Sequence, residues 1–210
     1  MTRLQLPWPA ALETTDADES YALAPFAWED FEQLLARWGD DAPYRLSYLD
    51  GVLYLMAPSR WHEDRKTRFG SFLELYFLAR SIEYFPTGST TLKNAYKKVG
   101  LEPDESYCLF TDKAIPDLAI EIIVTSGGVQ RLALYQRLGV AEVWLYRQGG
   151  LQIYSLNPQL SAEPPSFGYQ LQDQSLLLPE LDVELLLTCL ETESALTGLQ
   201  RWQAALRGGL

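Results

Sequence analysis

The chain has 210 residues, the size of one domain with a buried core, and 47% of them are hydrophobic, which argues against a disordered chain. The net charge of −11 argues against a protein that coats nucleic acid without specificity. Two cysteines do not suggest a disulfide framework, and no stretch approaches the ~20 apolar residues of a membrane span.

The first 25 residues are polar and rich in proline and alanine, so we expect an N-terminal arm there and a single domain over residues 26–210. Met1 to Ala11 carries no apolar run long enough for a signal peptide. We therefore expect a cytoplasmic protein with no membrane partner.

The first half of that domain predicts two helices around a hairpin. A short helix is expected over 27–38, and strands over 44–49 and 52–56 flank the turn signal Asp50-Gly51. Ser59 can cap a helix over 60–82. The expected buried stripe of that helix follows helical spacing and consists of Phe69, Phe72, Leu73, Tyr76 and Phe77.

Charge is uneven along this part of the chain. Residues 58–100 hold eight bases against four acids, so this segment is the candidate phosphate-contacting surface, or else an ordinary solvated helix face. Glu63 follows the start of the long helix, where an acid favours the helix dipole. His62, the single histidine of the chain, is interpreted as a polar cap residue.

The second half alternates strands and helices. A polar basic excursion is expected over 93–100, a helix over 129–138 that Gly139 ends, and a loop over 157–170. Two closing helices are expected over 181–190 and 193–206. The expected strands are 83–85, 89–92, 107–110, 116–125, 143–146 and 151–154.

The strand over 116–125 carries the strongest functional signal. Its alternation places Asp117, Ala119, Glu121 and Ile123 on one face, in a segment apolar enough to be buried. A buried carboxylate is costly unless it is paired, protonated or bound to a cation. Glu121 therefore indicates either a site or a structural salt bridge.

Geometry restricts the partners of Glu121. Asp117 lies four strand residues away, about 13 Å, so the two cannot share one ion. Asp104, at the head of the preceding strand, is the best candidate, and the two carboxylates would suit an open Mg²⁺ site. Arg131 lies on the side of its helix that packs toward the sheet, where it could neutralise phosphate charge or simply pair with Glu121.

Six landmarks together resemble one family, the Uma-type endonucleases, a restriction-endonuclease-like branch of the PD-(D/E)XK superfamily. The resemblance covers about residues 25–190 and implies an α/β (α+β) fold in which helices flank a mixed β-sheet core. The landmarks are residues 48–51, 56–59 followed by His62 and Glu63, 88–93, 102–104, 116–121 and 138–144.

The resemblance implies that Asp104 and Glu121 are the metal-binding acids. The motif would place a lysine at Ile123; in this branch the lysine comes from the following helix, where this chain has Arg131. Ser47 stands where many relatives have Glu, and Lys93 is a candidate substitute cation. Glu63 completes the set of candidate site residues.

The sequence thus predicts a DNA phosphodiesterase that uses one or two Mg²⁺ or Mn²⁺ ions, with activity weakened by the missing lysine. Two alternatives stay open. The fold could be kept as a non-catalytic module that binds nucleic acid or protein, or the acids could form a plain buried ion pair. A homodimer also stays open.

Overall fold

The computed structural model describes residues 18–39, 44–88, 90–124 and 128–208, and in them helices flank two β-sheets. This mixed architecture confirms the predicted α/β class. The helices are α1 (Trp28–Trp38), α2 (Arg60–Arg80), α3 (Leu132–Leu138), α4 (Val183–Leu190) and α5 (Ala195–Gly208). The strands are β1 (Glu19–Leu23), β2 (Arg45–Leu49), β3 (Val52–Ala57), β4 (Tyr84–Pro86), β5 (Leu92–Asn94), β6 (Val99–Leu101), β7 (Glu105–Leu109), β8 (Leu118–Ile122), β9 (Glu142–Arg147), β10 (Gly150–Leu156) and β11 (Tyr169–Gln172).

The first sheet is antiparallel, in the order β1-β3-β2-β6-β5. It contains the predicted hairpin, in which Leu49 pairs with Val52 across Asp50 and Gly51. Both turn residues have positive φ, 48° and 87°, as a tight two-residue hairpin turn requires. One face of this sheet packs against α1 through a cluster that includes Phe31.

The second sheet is mixed, in the order β11-β10-β9-β8-β7-β4, and β8 lies inside it. β8 pairs antiparallel with β7, the arrangement that their short connection favours, and parallel with β9 through the crossover that contains α3. The alternation of β8 is also confirmed. Leu118, Ile120 and Ile122 join one buried cluster, whereas Ala119 and Ile123 join another.

α2 covers the first of these faces. Ser59 caps the helix by accepting a hydrogen bond from the backbone N–H of His62. The five residues of the predicted stripe are all buried and pack with the β8 face and with the closing helices α4 and α5.

The opposite face of β8 is where the two sheets meet. α3 follows a short 3-10 helix (Gly128–Arg131) and ends at Gly139, whose φ is 88°. Buried residues of α3 pack there with Ala119 and Ile123, and also with Leu92, Val99 and Leu101 of the first sheet. This apolar layer fixes the positions of β8, α3 and the first sheet relative to one another, so that all three border a common space.

Several strands have shifted bounds, such as β5 (Leu92–Asn94) instead of 89–92 and β8 (Leu118–Ile122) instead of 116–125, and three others depart further from the expectation. Residues 19–23, assigned to the arm, form β1 and pair with β3, whereas residues 1–17 lie outside the described part. β6 lies inside the expected basic excursion, where Gly100 looks like a strand breaker. A Cβ there would lie 2.6 Å from the ring of Phe31, so the strand needs glycine to approach α1. β11 begins at Tyr169, inside the expected loop.

No helix in the described ranges combines the length and the apolar character needed to cross a membrane.

Candidate active site

The two predicted acids lie side by side. Glu105 pairs with Ile120, so the register of β7 and β8, continued by one residue, places Asp104 opposite Glu121 on the same face of the sheet. Asp104 Oδ2 accepts a hydrogen bond of 2.7 Å from the backbone N–H of Ile122. The exposed fractions of Asp104 and Glu121 are 0% and 1%, so both need partners.

Asp104 receives two cationic partners on its other oxygen. Arg45 donates from Nη1 to Oδ1, and His62 Nε2 lies 2.9 Å from the same oxygen. Burial alone would raise the pKa of Asp104, but His62 and Arg45 outweigh it and lower that pKa. Asp104 is therefore ionised in the folded protein at neutral pH.

His62 lies between two carboxylates. Its Nδ1 is 2.8 Å from Asp18 Oδ2, on the side opposite to Asp104. Burial opposes the charged ring, but Asp104 and Asp18 outweigh it and raise the pKa of His62 to about 9. The interpretation as a polar cap residue is thus incomplete, because the backbone of His62 takes part in the cap while its ring is a buried imidazolium.

Glu121 is held from the α3 side. The hydroxyl of Tyr135 donates to Glu121 Oε1, and Arg131 Nη2 lies 2.8 Å from the same oxygen. Burial raises the pKa of Glu121 to about 7, with Asp104 adding to the rise and Arg131 and Tyr135 opposing it. The negative charge of Glu121 is only partly compensated, so its ionised form would gain from a further cation.

Glu63 reaches this centre through Arg45. Arg45 Nη2 donates to Glu63 Oε1 while Nη1 holds Asp104, so one guanidinium bridges two acids. Lys66 lies 3.6 Å from the other oxygen of Glu63. Nothing in the sequence singled out Arg45, which precedes the first landmark and lies 59 residues from Asp104.

Lys93 lies elsewhere. Its neighbour Leu92 points into the layer shared with β8, so Lys93 points to the opposite face of the first sheet. There its Nζ lies 3.4 Å from Glu32 of α1. The structure therefore brings together Asp104, Glu121, Arg131 and Glu63 and leaves Lys93 outside.

A cavity of about 490 Å³ opens beside this centre, between the first sheet and the end of β8. Glu121, Arg45 and Arg131 all line it, whereas Asp104 does not. Ser47 also lies in its wall. The remaining wall is mostly apolar and includes Tyr54, Met56, Ile123, Leu134 and Phe167.

The bases of residues 58–100 do not line this cavity. Arg65 donates to the carbonyl oxygen of Leu190 at 2.7 Å, and Arg68 to that of Thr192 at 2.6 Å, so these two hold the end of α4. Lys98 pairs with Glu29 of α1 at 3.2 Å. In the described part of the chain, the cations in the cavity wall are Arg45 and Arg131.

The donor set suits a hard divalent cation. The two contacts that reach Glu121 within the described ranges both use Oε1, which leaves Oε2 for a ligand beside the cavity. Mg²⁺ sites commonly take one or two carboxylates, with water and substrate phosphate completing the shell. The facing carboxylates of Asp104 and Glu121 fit an open site of this kind, whereas no cluster of three or more acidic, histidine or cysteine ligands occurs among the described residues.

One comparison with known proteins identifies the family of the chain. A family model, Uma2, described as "Putative restriction endonuclease", matches residues 28–189. The chain is also similar to the crystal structure of a putative nuclease belonging to DUF820 from Anabaena variabilis, at 14% identity and a TM-score of 0.49 over 85% of this chain and 99% of that one. No curated protein matches the chain.

Proposed function

Because the chain belongs to the Uma2 family of putative restriction endonucleases, we propose that it hydrolyses phosphodiester bonds in DNA with a divalent ion, Mg²⁺ or Mn²⁺, held by Asp104 and Glu121. One observation carries the proposal. The two acids face each other on neighbouring strands, and Glu121 opens to a cavity that two arginines also line. The same place thus offers carboxylate ligands for a metal ion and arginines that can pair with the charge of a phosphate.

A metal ion bound there would supply an acidified water and would stabilise the negative charge that develops on the phosphate oxygens. The protein's own part is to place the ligands. The backbone N–H of Ile122 and the ring of His62 fix Asp104, while Tyr135 and Arg131 fix Glu121. Ligands held in this way need little rearrangement when substrate arrives.

Besides pairing with Glu121, Arg131 can contact a phosphate. Its side chain is 21% exposed and lines the cavity, so its guanidinium can meet a phosphate while keeping its contact with Glu121. An arginine stays charged at any ordinary pH and is a poor proton-transfer group. Ile123 points into the apolar layer, so neither position of the motif supplies a lysine. We therefore propose slow nicking rather than fast cleavage.

One observation favours a second candidate, a non-catalytic module that binds nucleic acid through the same cavity. The cations of the acid centre are already ion-paired, Arg45 with Asp104 and Glu63, Arg131 with Glu121, and His62 with Asp104 and Asp18. A centre whose charges are largely paired internally can be stable without metal. The two candidates differ in metal-dependent turnover.

Nicking of supercoiled DNA with Mg²⁺ or Mn²⁺ separates them. We expect slow nicking by the wild type and none by Glu121→Gln, which keeps the shape but removes the anionic ligand. Glu184→Gln, an exposed position on α4, is the matched control and should nick like the wild type. Equal nicking by wild type and Glu121→Gln contradicts the proposal, and a folded wild type inactive across metals favours the binding module.

A further inference from the structure

Of the two acids, Asp104 is not open to the cavity. Arg45 and Glu121 line the cavity, and Arg45 is bonded to the Asp104 carboxylate from that side. A divalent ion that takes both acids as ligands would lie beside the guanidinium of Arg45. Two positive groups within a few ångströms repel each other strongly in a buried site. Arg45 and a metal ion therefore compete for Asp104.

Arg45 is the cation that can leave. Its second partner, Glu63, is 42% exposed, and its own side chain already borders the cavity. His62, by contrast, is enclosed and paired on both ring nitrogens. If Arg45 moves, His62 and the backbone N–H of Ile122 still hold Asp104 in place. The carboxylate thus keeps its position while Oδ1, still paired with His62, loses one of its two cationic partners.

A phosphate in the cavity is a suitable new partner for Arg45. The guanidinium already uses two nitrogens on two acids, and the same fork can bind two oxygens of a phosphate. Phosphate binding would then draw Arg45 away from Asp104 and remove the positive charge that opposes the metal. Metal and nucleic acid would each favour binding of the other.

We propose that Arg45 is a positioning residue that blocks metal binding at Asp104 until a nucleic-acid phosphate draws it away, so that metal and nucleic acid bind cooperatively. The inference rests on the proposed metal-dependent function. Linkage makes the coupling reciprocal, so it can be measured as a change in metal affinity without any turnover.

The test is Mn²⁺ titration of the whole chain by electron paramagnetic resonance, with and without a short DNA duplex. The wild type should bind Mn²⁺ weakly alone and about tenfold more tightly with the duplex, a typical coupling. Arg45→Gln should bind Mn²⁺ about tenfold more tightly without the duplex and gain little from it.

Two further variants serve as controls for this titration. Arg137→Gln removes a guanidinium that pairs with Asp50 outside the cavity, so it changes the net charge equally and should bind Mn²⁺ like the wild type. Arg45→Lys keeps the positive charge but cannot bridge two acids, and it should show an intermediate affinity. If thermal melting shows that Arg45→Gln is unfolded, Arg45→Lys decides.

The outcomes are distinct. If Arg45→Gln, or Arg45→Lys in its place, binds Mn²⁺ no more tightly than the wild type while Glu121→Gln loses binding, the metal site stands and the role of Arg45 is overturned. If none of the folded proteins binds Mn²⁺, with or without duplex, the proposed metal-dependent function falls together with this inference.

Discussion

Two buried glutamates occupy opposite faces of the second sheet and are satisfied in opposite ways. In the register of β8 and β9, Glu142 pairs with Leu118 and Leu145 pairs with Glu121, so the two acids point to opposite faces. Glu142 is 1% exposed, as is Glu121. Within the described ranges, its partners are all neutral donors: Trp144 Nε1, the hydroxyls of Ser155 and Ser175, and the backbone N–H of Leu176.

Glu121 depends on a charged partner that borders a cavity. Arg131 and Tyr135 both use Oε1, and burial still raises the pKa of the carboxyl to about 7. This difference distinguishes a structural buried acid from a buried acid that can bind a ligand. Neutral donors fixed in the fold saturate both oxygens of Glu142 and indicate a structural role, whereas the contacts of Glu121 leave one oxygen for a ligand.

The largest effect is expected at Glu142. Glu142→Ala would leave up to four donors without an acceptor, three of them buried, and we expect it to lower the free energy of unfolding by about 3–5 kcal/mol. Urea denaturation at pH 8 measures this, with Glu184→Gln as a control expected within about 0.5 kcal/mol of wild type. A loss under about 1 kcal/mol would show that Glu142 is not a structural centre.

The next effect concerns His62 and pH. Its pKa of about 9 in the folded protein exceeds the ordinary 6.5, so its stabilisation is fully present below pH 6.5 and is lost as pH rises through 9. This difference in the pKa of His62 between the folded and unfolded protein corresponds to about 3 kcal/mol in the free energy of unfolding.

Urea denaturation without metal checks this from pH 6 to pH 10. We expect the stability advantage of the wild type over His62→Gln to shrink by that amount across the range. Parallel curves for the two proteins would mean that His62 is not a buried imidazolium.

A smaller effect of opposite sign is expected at Glu121. Because the pKa of Glu121 is raised, ionisation of this side chain destabilises the folded protein. The free energy of unfolding therefore falls as pH rises from 4.5 through 7. Glu121→Gln cannot ionise, so at pH 8 in EDTA it should be more stable than wild type by about 1–3 kcal/mol. At pH 4 the gain should vanish. A loss of stability at pH 8 would make Glu121 a structural acid like Glu142.

The placement of Asp104 beside Glu121 could be predicted from the sequence because it depends on local rules of strand structure. Strand alternation gave the face of Glu121, and the short connection between β7 and β8 made the strands antiparallel neighbours, which places Asp104 opposite. The cations that satisfy Asp104 could not be predicted in this way. Arg45 and His62 come from a different sheet and a helix, and packing between those elements brings them to the site.

Lys93 illustrates a second limit. The sequence predicts a polar basic excursion over 93–100 and does not place the ammonium of Lys93. In the structure Gly100 faces Phe31 of α1 and Lys93 lies opposite Gly100 in the register. The side on which Lys93 points therefore depends on where α1 packs, which the local pattern does not contain.

Anomalous diffraction from crystals of the protein with a short DNA duplex and Mn²⁺ tests the central claim most directly, because it locates the ion relative to both buried acids under the conditions in which Arg45 is drawn away. We predict one strong peak between the carboxylates of Asp104 and Glu121, at about 2.0–2.2 Å from an oxygen of each. We predict no peak at Glu142. In crystals where Mn²⁺ is bound elsewhere on the protein, its absence from the Asp104–Glu121 pair would contradict the assignment of this pair as the metal centre.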